Sequence, residues 1–390
     1  MYAKAVTKVV AAVLMSVLLV GCGHGKSVIL SGEEVYKPEY AERYAIYGTN
    51  GLSTVLEVCD PWQGADGEVS QIFVSRGGET APEGFDGWTV EAPVEKVVCF
   101  SSTYVAFFDA LDATDRICGV SGADYISNEK IRARYALGDV RDVGFDTGMN
   151  YELLAAMRPD IVLLYGVGSE NTAVSDKLRE LRIPFLYVGE YVEEKPLGRA
   201  EWLVPLGDLI DRRPVAQAAF AVIGARQASV RVVAGNFTDR PKVRLNAPYR
   251  DVWFVPGDRS YMVSLINDAG GEYLFAGEDT SVSRPISGEA AYMASLDADV
   301  WLNPGQATDM VSLKRENPKF TDIRCVHDGR VYNSIRPSPP AGGNDFSQPA
   351  ALPAARLLPH PLIRSPPAPP PHRPTPYLPR LTYSPPRPAP

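Results

Sequence analysis

The chain has 390 residues, of which 45% are hydrophobic and 22% charged, with a formal net charge of −8. That composition is ordinary for a soluble globular protein with room for two domains. The acidic balance, with no basic stripe of interleaved aromatics, argues against a nucleic-acid partner. Of the four histidines only His327 falls within the globular body, which leaves no HExxH zinc site and no histidine cluster to hold a metal.

Lys4 and Lys8 precede an apolar run from Val9 to Val20. The run is too short for the roughly 20 residues of a spanning helix, so it reads as an export signal. It ends Leu19-Val20-Gly21-Cys22, which resembles the signal box of bacterial lipoproteins. Cleavage before Cys22 would leave a lipidated cysteine and a membrane anchor; a plain secretory signal is the alternative. Residues 1–22 are thus the signal and 23–43 a tether.

Tyr44–Tyr47 and Thr54–Val58 flank Asn50-Gly51, a hairpin signal. Gln71–Val74 continues as a further antiparallel strand. Val94–Phe100 then opens an α/β series. Ser101, Ser102 and Thr103 are N-cap candidates for a helix whose face is Val105, Phe107, Phe108 and Leu111. Strands follow at 116–120, 161–165 and 184–188, with helices between them, an order that predicts a mostly parallel sheet over residues 44–195. Residues 196–236 show no strand signal. Trp202, Leu203, Leu206, Leu209 and Ile210 sit at helical spacing, Pro214 interrupts, and Ala216 to Val233 resumes as an alanine-rich helix, so the stretch reads as a helical bridge. Beyond it, 243–245 and 252–255 begin a second sheet, and a helix from Tyr261 to Ala269 is stopped by Gly270-Gly271. Arg324–Val326 and Arg330–Tyr332 flank Asp328-Gly329 as a terminal hairpin, closing a second lobe over 237–346.

One design occurs twice, about 140 residues apart. Asn150 and Ser287 are N-caps; Glu152 and Glu289 stand two positions later; an amphipathic helix and a short, wholly apolar strand follow. Apolar strands of this kind are buried on both faces of a parallel sheet. The fold class expected is therefore α/β, with two Rossmann-like lobes joined by a long helix.

After Cys22, Cys59, Cys99, Cys118 and Cys325 remain. Four cysteines allow three pairings in an exported protein, but Cys99 and Cys118 fall in core strands, where a free cysteine behaves as a small hydrophobe. A catalytic thiol has only His327 to pair with, and neither a GxSxG elbow nor a P-loop is present.

Val97–Ser102, Asp115–Val120, Val143-Gly144 and Tyr151–Val162, in that order and spacing, resemble the binding proteins of ABC importers for iron complexes and vitamin B12. Pro196–Trp202 and Ala341–Phe346 resemble its lipoprotein members. The resemblance implies two lobes on a rigid helical link, a ligand held between them, no intrinsic cofactor, and a monomer that delivers to a permease and ATPase complex. The ligand class implied is a ferric siderophore, haem or a corrinoid. An exported enzyme, or a lipoprotein that holds a partner protein, are the competing readings. Ligands of open α/β sheets bind beyond the C-terminal strand ends. The residues expected there are Ser102, Thr103, Tyr104, Tyr125, Tyr165 and Tyr191, with Trp253, Tyr261, Arg284 and Asn303 from the second lobe. The resemblance also implies that Glu152 and Glu289 dock onto arginines of the permease; helix-dipole compensation is the simpler role for each.

From Ser347 to Pro390 there are 16 prolines and no Asp, Glu or Gly. Proline lacks the backbone donor that regular structure needs. The change of composition after Phe346 reads as a shifted reading frame, with a genuine Pro-rich extension as the alternative.

Overall fold

The computed structural model describes residues 33–332, apart from 146–147, 167–171, 250–251, 306 and 308–309. The signal, Cys22 and the tail beyond Phe346 lie outside the described residues.

The first strands do not join the α/β lobe. β1 (Glu34–Tyr36), β2 (Tyr44–Gly48), β3 (Thr54–Cys59), β4 (Val69–Ser75) and β5 (Trp88–Glu91) make a sheet of their own, in that order. Only the β4–β5 pair is parallel. Tyr44, Ile46 and Gly48 alternate inward along β2, as a half-buried strand requires. The β2–β3 connection runs from Thr49 to Ser53 rather than turning tightly on Asn50-Gly51. The Glu79 carboxylate clasps it, accepting from the Leu52 N–H at 2.6 Å and the Thr49 hydroxyl at 3.1 Å. Residues 34–43, expected as part of a tether over 23–43, are instead held against the body.

The N-terminal lobe follows as β6 (Val97–Cys99), α1 (Ser102–Ala110), β7 (Ile117–Val120), α2 (Glu129–Leu137), β8 (Arg141–Asp142), α3 (Tyr151–Met157), β9 (Ile161–Leu164), α4 (Thr172–Glu180) and β10 (Phe185–Tyr187). Its sheet is parallel throughout, in the order β10-β9-β6-β7-β8. β6 lies at the centre because its three residues, like all of β9 and β10, are buried. Caps set the helix starts: Ser101 Oγ accepts from Thr103 N, and Asn150 Oδ1 accepts from Leu153 N at 2.9 Å. Arg158 then takes a left-handed φ of 49° and Pro159 stops α3.

The bridge is three helices: α5 (Pro196–Glu201), α6 (Leu203–Leu209) and the long α7 (Arg213–Gly235). The second lobe holds β11 (Lys242–Leu245), β12 (Pro248–Tyr249), β13 (Val252–Val255), α8 (Tyr261–Asp268), β14 (Glu272–Tyr273), β15 (Arg284–Ile286), α9 (Gly288–Ser295), β16 (Val300–Leu302), α10 (Met310–Glu316), α11 (Arg324–His327) and β17 (Val331–Tyr332). β14-β11-β16-β17 is its parallel sheet.

Two expectations are corrected here. Residues 243–245 and 252–255 belong to different sheets, since β13 pairs antiparallel with β12 and β15. Arg324–Val326 is helical, not half of a hairpin. Asp328 N bonds to Arg324 O at 2.9 Å, closing a helical turn, while β17 crosses over to lie parallel to β16. A three-residue apolar run carries no period that separates a turn of helix from a strand.

Among the described residues Cys59, Cys99, Cys118 and Cys325 form no disulfide, and all but the half-buried Cys118 are buried. Burial pushes the Cys99 and Cys118 thiols up, Cys118 to about 11, so they behave as small hydrophobes.

Candidate functional site: the cleft between the lobes

Two carboxylates on and just before α5 fix the edge of the site. Glu201 is fully buried, and its Oε1 accepts from Tyr36 Oη at 2.7 Å and Glu39 N at 2.8 Å. Its Oε2 accepts from Tyr40 N and Ala41 N, each at 2.8 Å. Glu193 does the same for the next residues, accepting from Glu42 N at 3.0 Å and Arg43 N at 3.1 Å, and from Trp202 Nε1 at 3.1 Å. Together they bind the segment before β2 to the N-terminal lobe, and so place Arg43.

Arg43 lies at one side of a cleft of about 590 Å³. Tyr191 and Arg199 come from the N-terminal side, Arg259 and Tyr261 from the second lobe, and Asn303 from the end of β16. The Arg199 guanidinium lies over the Tyr261 ring, 4.0 Å from its centre, so α5 of the bridge touches α8 of the second lobe. Arg259 reaches the other way, 3.5 Å from Glu194 Oε1 and 3.5 Å from Asp279 Oδ1. Arg43 stands 3.5 Å from Asp60 Oδ2, and Arg199 is 3.9 Å from Glu190 Oε1. These pairs are long beside Arg231–Asp268 at 2.7 Å or Arg284–Glu278 at 2.9 Å. The guanidiniums are therefore held in place with bonding capacity unspent, and Arg199 Nε is buried with no partner among the described residues.

Glu190 is buried beneath Arg199. Burial raises its pKa to about 7, against the pull of the Arg199 charge and backbone N–H groups. Burial likewise raises Glu193 to about 7, opposed by the Glu42 N–H and the Trp202 indole. Among the described residues no group of three or more His, Cys, Asp or Glu could hold a metal ion.

Of the residues expected to face ligand, the structure gathers Tyr191, Tyr261 and Asn303 on this cleft. Ser102, Thr103 and Tyr165 sit at the C-terminal ends of β6 and β9, where the strand order reverses, but do not line it. Tyr104 is a correction. It is fully buried, with its hydroxyl donating toward Leu164 O at 3.2 Å and Val188 O at 3.4 Å, so it ties α1 to two strand ends. Trp253 is another, since it is fully buried and stacked on Arg244 in the second core. Arg284 lies outside the cleft, paired with Glu278, and Tyr125 is an exposed ring just after β7 that does not line the cleft. Sequence reasoning missed Arg43, Asp60, Trp62, Arg199 and Arg259. The Pro196–Trp202 motif was the available signal, because it contains both Arg199 and Glu201.

Glu152 and Glu289 are exposed in the first turns of α3 and α9, behind N-caps Asn150 and Ser287. Each helix leads into a strand paired on both sides, β9 or β16. A shallow hollow of about 780 Å³, lined by Tyr151, Glu152 and Lys177 among others, surrounds the first glutamate on the outer surface.

Two parallel-sheet lobes joined by a long helix, with a polar and aromatic cleft between them, are the construction of a two-lobed solute-binding protein. The chain belongs to the periplasmic binding protein family, whose model, described as "Periplasmic binding protein", matches residues 97–334. The family is one of substrate-binding proteins of ABC transporters. An uncharacterized lipoprotein of Methanocaldococcus jannaschii is 26% identical over 252 residues, which are 62% of this chain and 60% of that relative. A second uncharacterized lipoprotein of that organism is 26% identical over 69% of this chain and 71% of its own length. Among solved structures, a periplasmic binding protein from Veillonella parvula superposes with a TM-score of 0.55 at 15% identity, covering 79% of this chain and 98% of that one. A periplasmic heme binding protein from Pseudomonas aeruginosa gives 0.52 at 22% identity, covering 68% and 92%. At these identities the likeness is one of fold.

Proposed function

We propose that this chain captures an iron complex, a ferric siderophore or haem, between its lobes and delivers it to a membrane permease. The observation that carries this reading is the inter-lobe cleft itself. Its volume of about 590 Å³ suits a bulky ligand, and three guanidiniums with bonding capacity to spare share its lining with Trp62, Tyr191 and Tyr261. Guanidinium forks complement the carboxylates and phenolates at the edge of a metal chelate. Glu152 and Glu289, alike in position on the two lobes, are the acids that meet two equivalent basic sites of a dimeric permease. Rim ion pairs of that kind set orientation and encounter rate more than affinity. The relatives named as lipoproteins support an anchor at Cys22.

Titration of the purified protein with haemin, a ferric tris-catecholate and cyanocobalamin, followed by tryptophan quenching, tests the reading. Saturable binding of an iron complex at one site is the expected result. Binding of cyanocobalamin alone would transfer the function to corrinoids, and binding of none of the three would overturn it.

A further inference from the structure

The N-terminal sheet lies outside residues 97–334, which the family model matches, yet it reaches the cleft. Its contribution is the loop between β3 and β4. Asp60 takes a left-handed φ of 44° and caps the loop, with its Oδ1 accepting from Gly67 N at 2.7 Å while its own N–H bonds to Glu68 O at 2.8 Å. Gly67 has φ of +82°, a conformation a side chain would strain. Trp62 packs edge-on against Tyr187, 4.9 Å between ring centres, and the Gln63 N–H lies 3.4 Å from the Tyr191 hydroxyl. A Cβ on Gly189 would stand 3.2 Å from Pro61 Cα, so the loop is seated directly on the N-terminal lobe. The sheet behind it is bound by Glu193 and Glu201, and at its far end by the Arg76–Asp208 pair at 3.3 Å.

We propose that residues 60–67 form a fixed third wall of the ligand cleft and set which ligands fit, a specificity determinant belonging to neither lobe. The inference rests on the capture function above. The wall presents the Trp62 indole, the Gln63 amide and the Asp66 carboxylate toward the space that Arg259 and Ser283 bound from the second lobe. That surface selects a ligand with a flat apolar face and hydrogen-bond donors on its periphery. It disfavours one whose whole edge is anionic, because Asp66 would face that charge.

The test compares the full chain with Trp62→Ala and Gln63→Ala against haemin, a ferric tris-catecholate and cyanocobalamin. Each variant is expected to lose about tenfold or more in affinity for whichever probe the parent binds, and Gln63→Ala, whose side chain is exposed, to do so with unchanged melting. Parental affinity in both variants overturns the proposal. If the parent binds none of the probes, the capture function is what fails, and the wall is judged without ligand. Spin labels at Gln63→Cys and Ser283→Cys, with Cys22 and Cys118 replaced by serine, then report the distance across the cleft. A single narrow distribution that Gly67→Val broadens supports a fixed wall, and a broad distribution in the parent overturns it.

Discussion

Arg244, in the middle of β11, has its whole side chain buried, and none of its three guanidinium nitrogens has a hydrogen-bond partner among the described residues. Three rings stand against it: Trp301 at 3.8 Å, Trp253 at 4.3 Å and Phe320 at 4.3 Å from the guanidinium carbon. Burial pushes its pKa down to about 9 from the ordinary 12.5, with the nearby Cys325 pulling weakly the other way. A depression of that size corresponds to about 5 kcal/mol against the charged, folded state. Three desolvated ring faces return on the order of 2–4 kcal/mol, since each is worth up to ~2 and they are not additive. The charge therefore destabilises the second lobe by roughly 1–3 kcal/mol. Arg244→Met keeps the length and near-volume of the side chain and adds sulfur–aromatic contacts. The variant should be more stable by about 2 kcal/mol at pH 7.5, a rise of roughly 4–6 °C in melting temperature by calorimetry. The advantage should shrink above pH 9. Between the folded and unfolded pKa values the unfolded chain holds the proton more tightly, so wild-type stability gains as pH rises there. A melting temperature below wild type at pH 7.5 would refute the reasoning and show that the aromatic cage outweighs desolvation.

Glu190 and Glu193 have folded pKa values of about 7, above the ordinary 4.5, so their contribution is full below 4.5 and is lost as pH rises through 7. Wild type should be more stable at pH 5.5 than at pH 8 by about 2 kcal/mol for each group, and Glu193→Gln should flatten that slope. Glu201→Ala leaves four donors without their carboxylate and should cost about 3–5 kcal/mol, seen as early proteolysis before residue 44. Glu152→Ala with Glu289→Ala should leave probe affinity intact and slow uptake; normal uptake by the anchored double variant would remove the docking role. Cys22→Ser should release the protein from membranes and abolish palmitate labelling; continued detergent partitioning would remove the anchor.

The α/β order, the two matched glutamate helices and the long bridge were legible because each rests on local rules. Asn150 and Ser287 satisfy their own helix N-termini, and β9 and β16 are apolar because both their faces are covered. The cleft was less legible. Tyr191, Tyr261 and Asn303 are one kind of residue in sequence with Tyr104 and Trp253, and only packing separates a ring that lines a cleft from one that fills a core. Arg43, Trp62, Arg199 and Arg259 come from four separate stretches. Two buried carboxylates 150 or more residues distant in sequence from the segment they hold bring the first of these to the last two. Hydrophobic period and capping act over a few residues, so the sequence determined the lobes. Which surfaces face each other depended on contacts that exist only once the chain has folded back on itself.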